Sequence, residues 1–140
     1  MSESTDNRLR ELLAMDRIAV VGCSSTPGKA AHEIPAYLQR HGYKIIPVNP
    51  FADDILGEPA ADSLDEVDGK IDLVNVFRPS EEVDEIVEAV LERKETTQDV
   101  EGLWLQLGIS DADAEARAED AGLTVVSDRC MKVEHQRLVD

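Results

Sequence analysis

The chain has 140 residues, with 14 basic against 30 acidic side chains and a formal net charge of -16. That length suits one domain spanning 1–140 and is too short for a nucleotide domain joined to a separate substrate domain. The charge argues against direct contact with nucleic acid, and no apolar run is long enough to span a bilayer.

The acids are spread along the chain rather than gathered into a tail. Such a surface resembles those of proteins from very salty cytoplasms, where the Debye length falls to about 3 Å at 1 M salt. A halophilic source and weak stability at low salt are expected. The first residues, Met1 to Asp6, lack the basic and apolar regions of a secretion signal, so a cytoplasmic protein is expected. Cys23 and Cys130 lie far apart in sequence and should then be reduced.

Leu9, Leu12 and Leu13 mark one face of an N-terminal helix within residues 1–15, with Thr5 or Asp6 as its cap. Ile18 to Val21 reads as the first strand. The next helix carries Ile34 and Leu38 on one stripe. Pro35 should fall in its first turn, so the helix should start near Ala31 to Glu33, and Gly42 should end it. Tyr43 to Val48 is the second strand, with an unpaired stretch or bulge expected at Pro47. A very short strand is expected near Pro59 to Ala61. Ile71 to Phe77 is the next strong strand, followed by a helix capped by Ser80 with Val83, Ile86, Val87, Val90 and Leu91 inward. Lys94 to Asp99 reads as a polar loop. Gly102 to Leu107 is another strand, with Trp104 as a core or subunit-interface residue. Ser110 should cap a helix whose packed face is Ala114, Ala118 and Ala121. Leu123 to Val126 is the last strand, and a loop plus a short helix closes the chain.

Strands alternating with helices predict an α/β, Rossmann-like, three-layer domain with a mainly parallel sheet of five or six strands. Right-handed crossovers place helices on both faces, and ligands bind outside the carboxyl ends of the strands where the order reverses. Gly22 to Lys29, Asn49-Pro50, Phe77-Arg78, Gln106 to Gly108 and Asp128 to Cys130 all fall at those ends. The first strand runs into a loop of small residues, Gly22 to Gly28, and then into a helix. Backbone amides in such a loop, and at the helix start, are expected to point outward unpaired, a ready site for phosphate.

Three nucleotide ligands compete for that loop. NAD(P) requires G-x-G-x-x-G and an acid ending the second strand; the loop lacks the first and Asn49 stands in place of the second. A P-loop needs four residues between its glycines and Lys-Ser/Thr after them; here there are five, and Ala30 follows Lys29. Coenzyme A is compatible, since its diphosphate can lie on the loop and no acid after the second strand repels its 3′-phosphate.

Val20-Val21-Gly22-Cys23-Ser24, His41-Gly42-Tyr43, Pro47-Val48-Asn49-Pro50, Ile55-Leu56-Gly57, Val76-Phe77-Arg78, Trp104 to Gly108 and Asp128 to His135 occur in the order and spacing of a known family. Over about residues 9–136 the chain resembles the single-domain CoA-binding proteins, which are related to the CoA-binding domain of succinyl-CoA synthetase α subunits and of NDP-forming acyl-CoA synthetases. The resemblance implies a Rossmann-like fold that binds CoA, without a known reaction; a protein that binds CoA or an acyl-CoA without catalysis of its own is expected. Cys23 stands where many relatives have alanine.

The candidate cofactor contacts are Gly22, Cys23, Ser24, Ser25, Gly28, Lys29, Asn49, Pro50, Phe77, Arg78, Gln106, Gly108, Arg129 and Cys130. Ser24, Ser25 and Lys29 would meet the diphosphate. Asn49-Pro50 and Phe77-Arg78 would flank the adenosine, with the Arg78 fork suited to phosphate or to stacking. The amide of Gln106 would face the site or cap a loop backbone. The pantetheine arm would leave past Gln106 and Gly108 towards Arg129 and Cys130. No catalytic residue is assigned and no metal is expected, because nothing completes a ligand set around Cys130, Glu134 and His135. Two alternatives remain: a thiol regulator forming a mixed disulfide with CoA through Cys23 or Cys130, and an accessory subunit of an acyl-CoA synthetase. A homodimer or an acyl-CoA enzyme is the expected partner.

Overall fold

The computed structural model describes residues 2–139. In chain order the elements are helix α1 (Ser2–Leu13), strand β1 (Arg17–Val21), helix α2 (Ala30–Arg40), strand β2 (Lys44–Val48), the two-residue strands β3 (Asp54–Ile55) and β4 (Glu58–Pro59), and strand β5 (Leu73–Val76). Helix α3 (Val83–Thr97), strand β6 (Gly102–Leu105), helix α4 (Ala112–Asp120), strand β7 (Thr124–Val126) and helix α5 (Met131–Leu138) complete them. Single 3-10 turns occupy Leu64–Glu66 and Ser80–Glu82.

The five long strands form one parallel sheet in the order β2-β1-β5-β6-β7. The order reverses between β1 and β5, which places the switch point beside the Gly22 loop. The strands read as continuous apolar runs because both faces are covered. One apolar layer joins Val74, Val76 and Leu103 to Val83, Val87 and Val90 of α3 and to Ala114 and Ala118 of α4. The other joins Ile18, Val20 and Trp104 to Leu9 and Leu12 of α1, Leu38 of α2 and Met131 of α5. This is the α/β, Rossmann-like architecture the alternation predicts, with five strands in the sheet.

Pro47 pairs with Val20 in an edge strand, and its missing donor faces the open side. On that side its carbonyl accepts the Ala61 N–H at 2.9 Å, and Ala61 makes one parallel bridge to Val48. The short strand expected near Pro59 is half of the β3–β4 hairpin.

Several local expectations are corrected. Thr5 and Asp6 lie inside α1 and do not cap it; the Asp6 carboxylate accepts from Arg137 at 2.8 Å. Ser80 starts a 3-10 turn before α3, and its hydroxyl accepts the Ser110 N–H at 3.1 Å. The cap of α4 is Asp111, which accepts from the Ala114 N–H while Glu115 accepts from the Asp111 N–H. Ala121 is exposed at the end of α4, so its packed face is Ala114 and Ala118.

Residues 94–97 are not a loop: α3 continues to Thr97 and ends at Gln98 in the left-handed region. A buried ion pair explains the extension. Arg93 donates to Asp99 at 2.9 Å and to the carbonyls of Leu64, Val67 and Gly69, and Asp99 accepts the Ile71 N–H. Burial alone would raise the Asp99 carboxyl, but the hydrogen bonds from Arg93, Thr97 and Ile71 hold it below the usual carboxylate range. The pair clamps the connection before β5 onto α3. Removing one partner from such a buried pair typically costs about 3–5 kcal/mol.

Pro35 also departs from expectation, since α2 starts at Ala30 and the proline falls in its second turn. Lacking an N–H, Pro35 leaves the Ala31 carbonyl without its helical donor. The Ser24 N–H fills that place at 3.0 Å, tying the glycine loop to the first turn of α2.

Candidate functional site

A cleft of about 650 Å³ opens at the carboxyl ends of β1, β2 and β5. Its floor is Gly22, Cys23 and Ser24, with Lys29 and Ala31 at the start of α2. One wall is Asn49, Pro50 and Phe51. The opposite wall is Phe77 and Arg78, backed by Glu82, Glu85, Ile86 and Ala89, and Asp62 to Leu64 closes the side. This volume lies within the range of small-molecule sites, roughly 300–1,000 Å³.

Gly22 has φ +86, a conformation that disfavours any side chain. A Cβ there would come within 2.7 Å of Arg78 Cδ and 3.2 Å of the Phe77 carbonyl oxygen. The glycine therefore lets the Arg78 side chain cross over the loop. Arg78 is held there by two hydrogen bonds to Glu82, at 3.0 and 2.7 Å. The same contact keeps Glu82 below the usual carboxylate range.

Most loop amides are already used, contrary to the outward, unpaired arrangement expected. Gly22 N–H donates to the Val48 carbonyl, Ser24 N–H to Ala31, Thr26 N–H to the Ser24 hydroxyl and Lys29 N–H to Thr26. Gly28 N–H donates at 2.9 Å to the Glu33 carboxylate, a bond that lowers the Glu33 pKa together with His32. The loop thus carries a carboxylate of its own chain on one amide. The amides of Cys23, Ser25, Ala30 and Ala31 meet no protein acceptor among the described residues. Ala30 and Ala31 are the first two residues of α2, where amide dipoles favour an anion. Lys29, at the helix entrance, makes no ion pair among the described residues.

Asn49 is a latch. Its Nδ2 donates to the Cys23 carbonyl at 2.9 Å and its Oδ1 accepts the Phe51 N–H at 2.8 Å. The two bonds join the β2 loop to the β1 loop and set the cleft width. Phe51, absent from the sequence-derived site, is 95% exposed at the mouth. Asp62, Glu82, Glu85 and Ile86 were likewise outside the expected set. With Lys29 and Arg78 they put three carboxylates and two cations in the cleft lining.

The structure does not bring every candidate to the cleft. Ser25 and Gly28 lie on the exposed outer turn of the loop. Gln106 is buried at 3% exposure, donates to Asn75 Oδ1 at 2.7 Å and accepts the Met131 N–H. Its amide caps the start of α5 and does not line the cleft. Gly108 lies further along the edge, where its N–H donates to Asp128 at 2.7 Å. The Arg129 carbonyl accepts from the Trp104 indole, and its guanidinium faces Glu134 at 3.5 Å. Cys130 is the half-buried cap residue of α5. Cys23 is wholly buried beneath the loop, and burial raises its thiol to about 12. His135 is packed among Tyr37, His41 and Tyr43, with its Nδ1 2.7 Å from the Tyr37 hydroxyl.

Over 136 residues the chain is 40% identical to the uncharacterized protein YneT of Bacillus subtilis, covering 96% of this chain and 97% of that one. It is 35% identical over 81 residues to the ADP-forming acetate–CoA ligase II of Archaeoglobus fulgidus, a match to 56% of this chain and 12% of the ligase. A solved structure of a hypothetical protein from Pyrococcus horikoshii superposes with a TM-score of 0.88 at 33% identity, over 96% of this chain and 92% of that one. The family model for the CoA binding domain matches residues 16–136, and with the sheet order and the β1 loop described above, this chain belongs to the CoA-binding domain family.

Proposed function

We propose that the protein binds coenzyme A or an acyl-CoA in the cleft at the β1–β5 switch point, without catalysis of its own. The observation that carries this reading is the cluster at the entrance of α2. Lys29 and Ala31 line a cleft of about 650 Å³ in a chain of the CoA-binding family, and among the described residues Lys29 makes no ion pair and the Ala31 amide meets no acceptor. The diphosphate lies over Gly22 to Ser24 and the first turn of α2, with Lys29 above it. Glu33 swings off Gly28 as the ligand arrives, which frees a further amide near Ser25. Asn49-Pro50 and Phe77-Arg78 flank the adenosine. The pantetheine arm leaves along the same sheet edge, past Gly108 towards Arg129 and Cys130. The similarity to one segment of an acetate–CoA ligase favours a second reading, in which this domain serves an acyl-CoA enzyme as a separate subunit; a partner chain copurifying with it would support that.

The thiol-regulator alternative loses Cys23, because a buried thiol with a pKa near 12 is almost entirely protonated at neutral pH.

Charge sets the test. The protein carries -16 and the cleft wall has three carboxylates against two cations, so the global field opposes a polyanion. Screening should weaken that repulsion more than it weakens the short contacts at α2. Calorimetric titration with CoA from dilute buffer to about 1 M salt is expected to show affinity improving from its dilute value. Monotonic loss of affinity, or no binding at any salt, contradicts the reading.

A further inference from the structure

We infer that Phe51 is the platform for the ligand's heteroaromatic base, and so the residue that selects a nucleotide-bearing ligand over a bare phosphate or phosphopantetheine; this rests on the CoA reading above. Phe51 is 95% exposed at the cleft mouth. A phenyl ring in water forgoes the burial that core phenylalanines gain. Here the backbone holds it out rather than letting it fold away. Pro50 restricts the preceding residue, the Phe51 N–H is bound to Asn49 Oδ1, and Asn49 is bound in turn to the Cys23 carbonyl. The ring is therefore presented from the wall that is tied to the phosphate-facing loop. A base carried on a diphosphate anchored at α2 has a π-face available for it.

The rest of the cleft mouth offers no equivalent. Phe77 is half-buried and packs against the core, and Arg78 is chelated by Glu82. Stacking on an aromatic side chain is tolerant of base identity, so the selection is for a base over none rather than for one base over another.

The experiment compares wild type, Phe51→Ala and Phe51→Trp against CoA, adenosine 3′,5′-bisphosphate and 4′-phosphopantetheine by calorimetry. Phe51→Ala should weaken CoA and the bisphosphate by about 5- to 150-fold, the range that loss of one stacked base gives. It should leave phosphopantetheine within about twofold, while Phe51→Trp keeps or improves the base-bearing ligands. Trp104 is buried, so the fluorescence of an exposed tryptophan at 51 should be quenched by CoA and not by phosphopantetheine. Equal affinities of wild type and Phe51→Ala for CoA, or an equal loss for the ligand without a base, overturns the assignment of Phe51 and leaves CoA binding standing. Wild type that binds no adenine-bearing ligand overturns both.

Discussion

Replacing Gly22 with alanine tests whether this glycine exists to let Arg78 cross the loop. Two costs are separable. The residue sits at φ +86, where an L side chain is strained by about 1–2 kcal/mol. The new methyl would also lie 2.7 Å from Arg78 Cδ, 3.1 Å from its Cγ and 3.2 Å from the Phe77 carbonyl oxygen. Overpacking of this kind costs about 1–3 kcal/mol, and the backbone carbonyl cannot simply rotate away. The sum is roughly 2–5 kcal/mol, or about 6–15 °C in Tm for a domain of this size. Gly28→Ala is the control, since Gly28 has φ +95 and nothing within 4 Å of its Cβ. It should show the strain alone, about 1–2 kcal/mol. A double-mutant cycle with Arg78→Ala completes the test: removing the Arg78 chain should recover about 1 kcal/mol of the Gly22→Ala loss. Denaturant unfolding at fixed salt reads all five proteins, wild type included. Equal losses for the two glycine variants, or strict additivity of Gly22→Ala with Arg78→Ala, would refute the crossing argument.

Two further outcomes are expected. Glu82→Gln releases Arg78 from its carboxylate chelate, so CoA affinity should rise about two- to fivefold with little change in Tm, and a fall in affinity would show that Arg78 needs Glu82 to hold it over the cleft. Brief alkylation of the native protein should add one label, at the half-buried Cys130, while the wholly buried Cys23 reacts only after unfolding; peptide mass analysis showing Cys23 labelled first would contradict its burial and raised pKa.

The sheet was legible because each buried strand is a short run of β-branched and leucine residues bounded by glycine or proline, and the intervening helices keep their apolar stripes. The edge that carries the cleft followed from alternation, but the strand order, and with it the switch point between β1 and β5, did not. The helix ends were less legible. Ser80 and Ser110 read as caps, yet the turn before α3 and Asp111 took those roles, and residues 94–97 joined α3 because the buried Arg93 binds Asp99 beyond them and the carbonyls of Leu64, Val67 and Gly69. The acceptors of Arg93 lie 24 to 29 residues away in sequence, so no local pattern announces them. In the site, Gly22, Asn49 and Arg78 were found because they closely follow strands, and Lys29 because it stands at the entrance of a helix. Phe51, Asp62, Glu82 and Glu85 were not, since nothing in a one-dimensional pattern distinguishes an exposed phenylalanine at a cleft from one in the core. The one available signal was Phe51 following Asn49-Pro50, a turn that holds the next side chain away from the sheet.

The most consequential residue for the loop is one with no contact to offer a ligand. Had residue 35 carried an N–H, it would have taken the Ala31 carbonyl as its helical acceptor, and Ser24 N–H would have needed another partner. Pro35 leaves that carbonyl free, Ser24 N–H binds it at 3.0 Å, and the chain after Gly22 is drawn back against the first turn of α2. That closure places Gly22 to Ser24 beside Lys29 and Ala31 on one floor. It also decides which amides are spent: Ser24 N–H goes to the helix and Gly28 N–H to Glu33, while the amides of Ala30 and Ala31 meet no acceptor among the described residues, and of these two residues Ala31 lines the cleft. A fingerprint based on glycine spacing cannot register this, because the loop is tied to the first turn of α2 through a carbonyl that a proline one turn later leaves open.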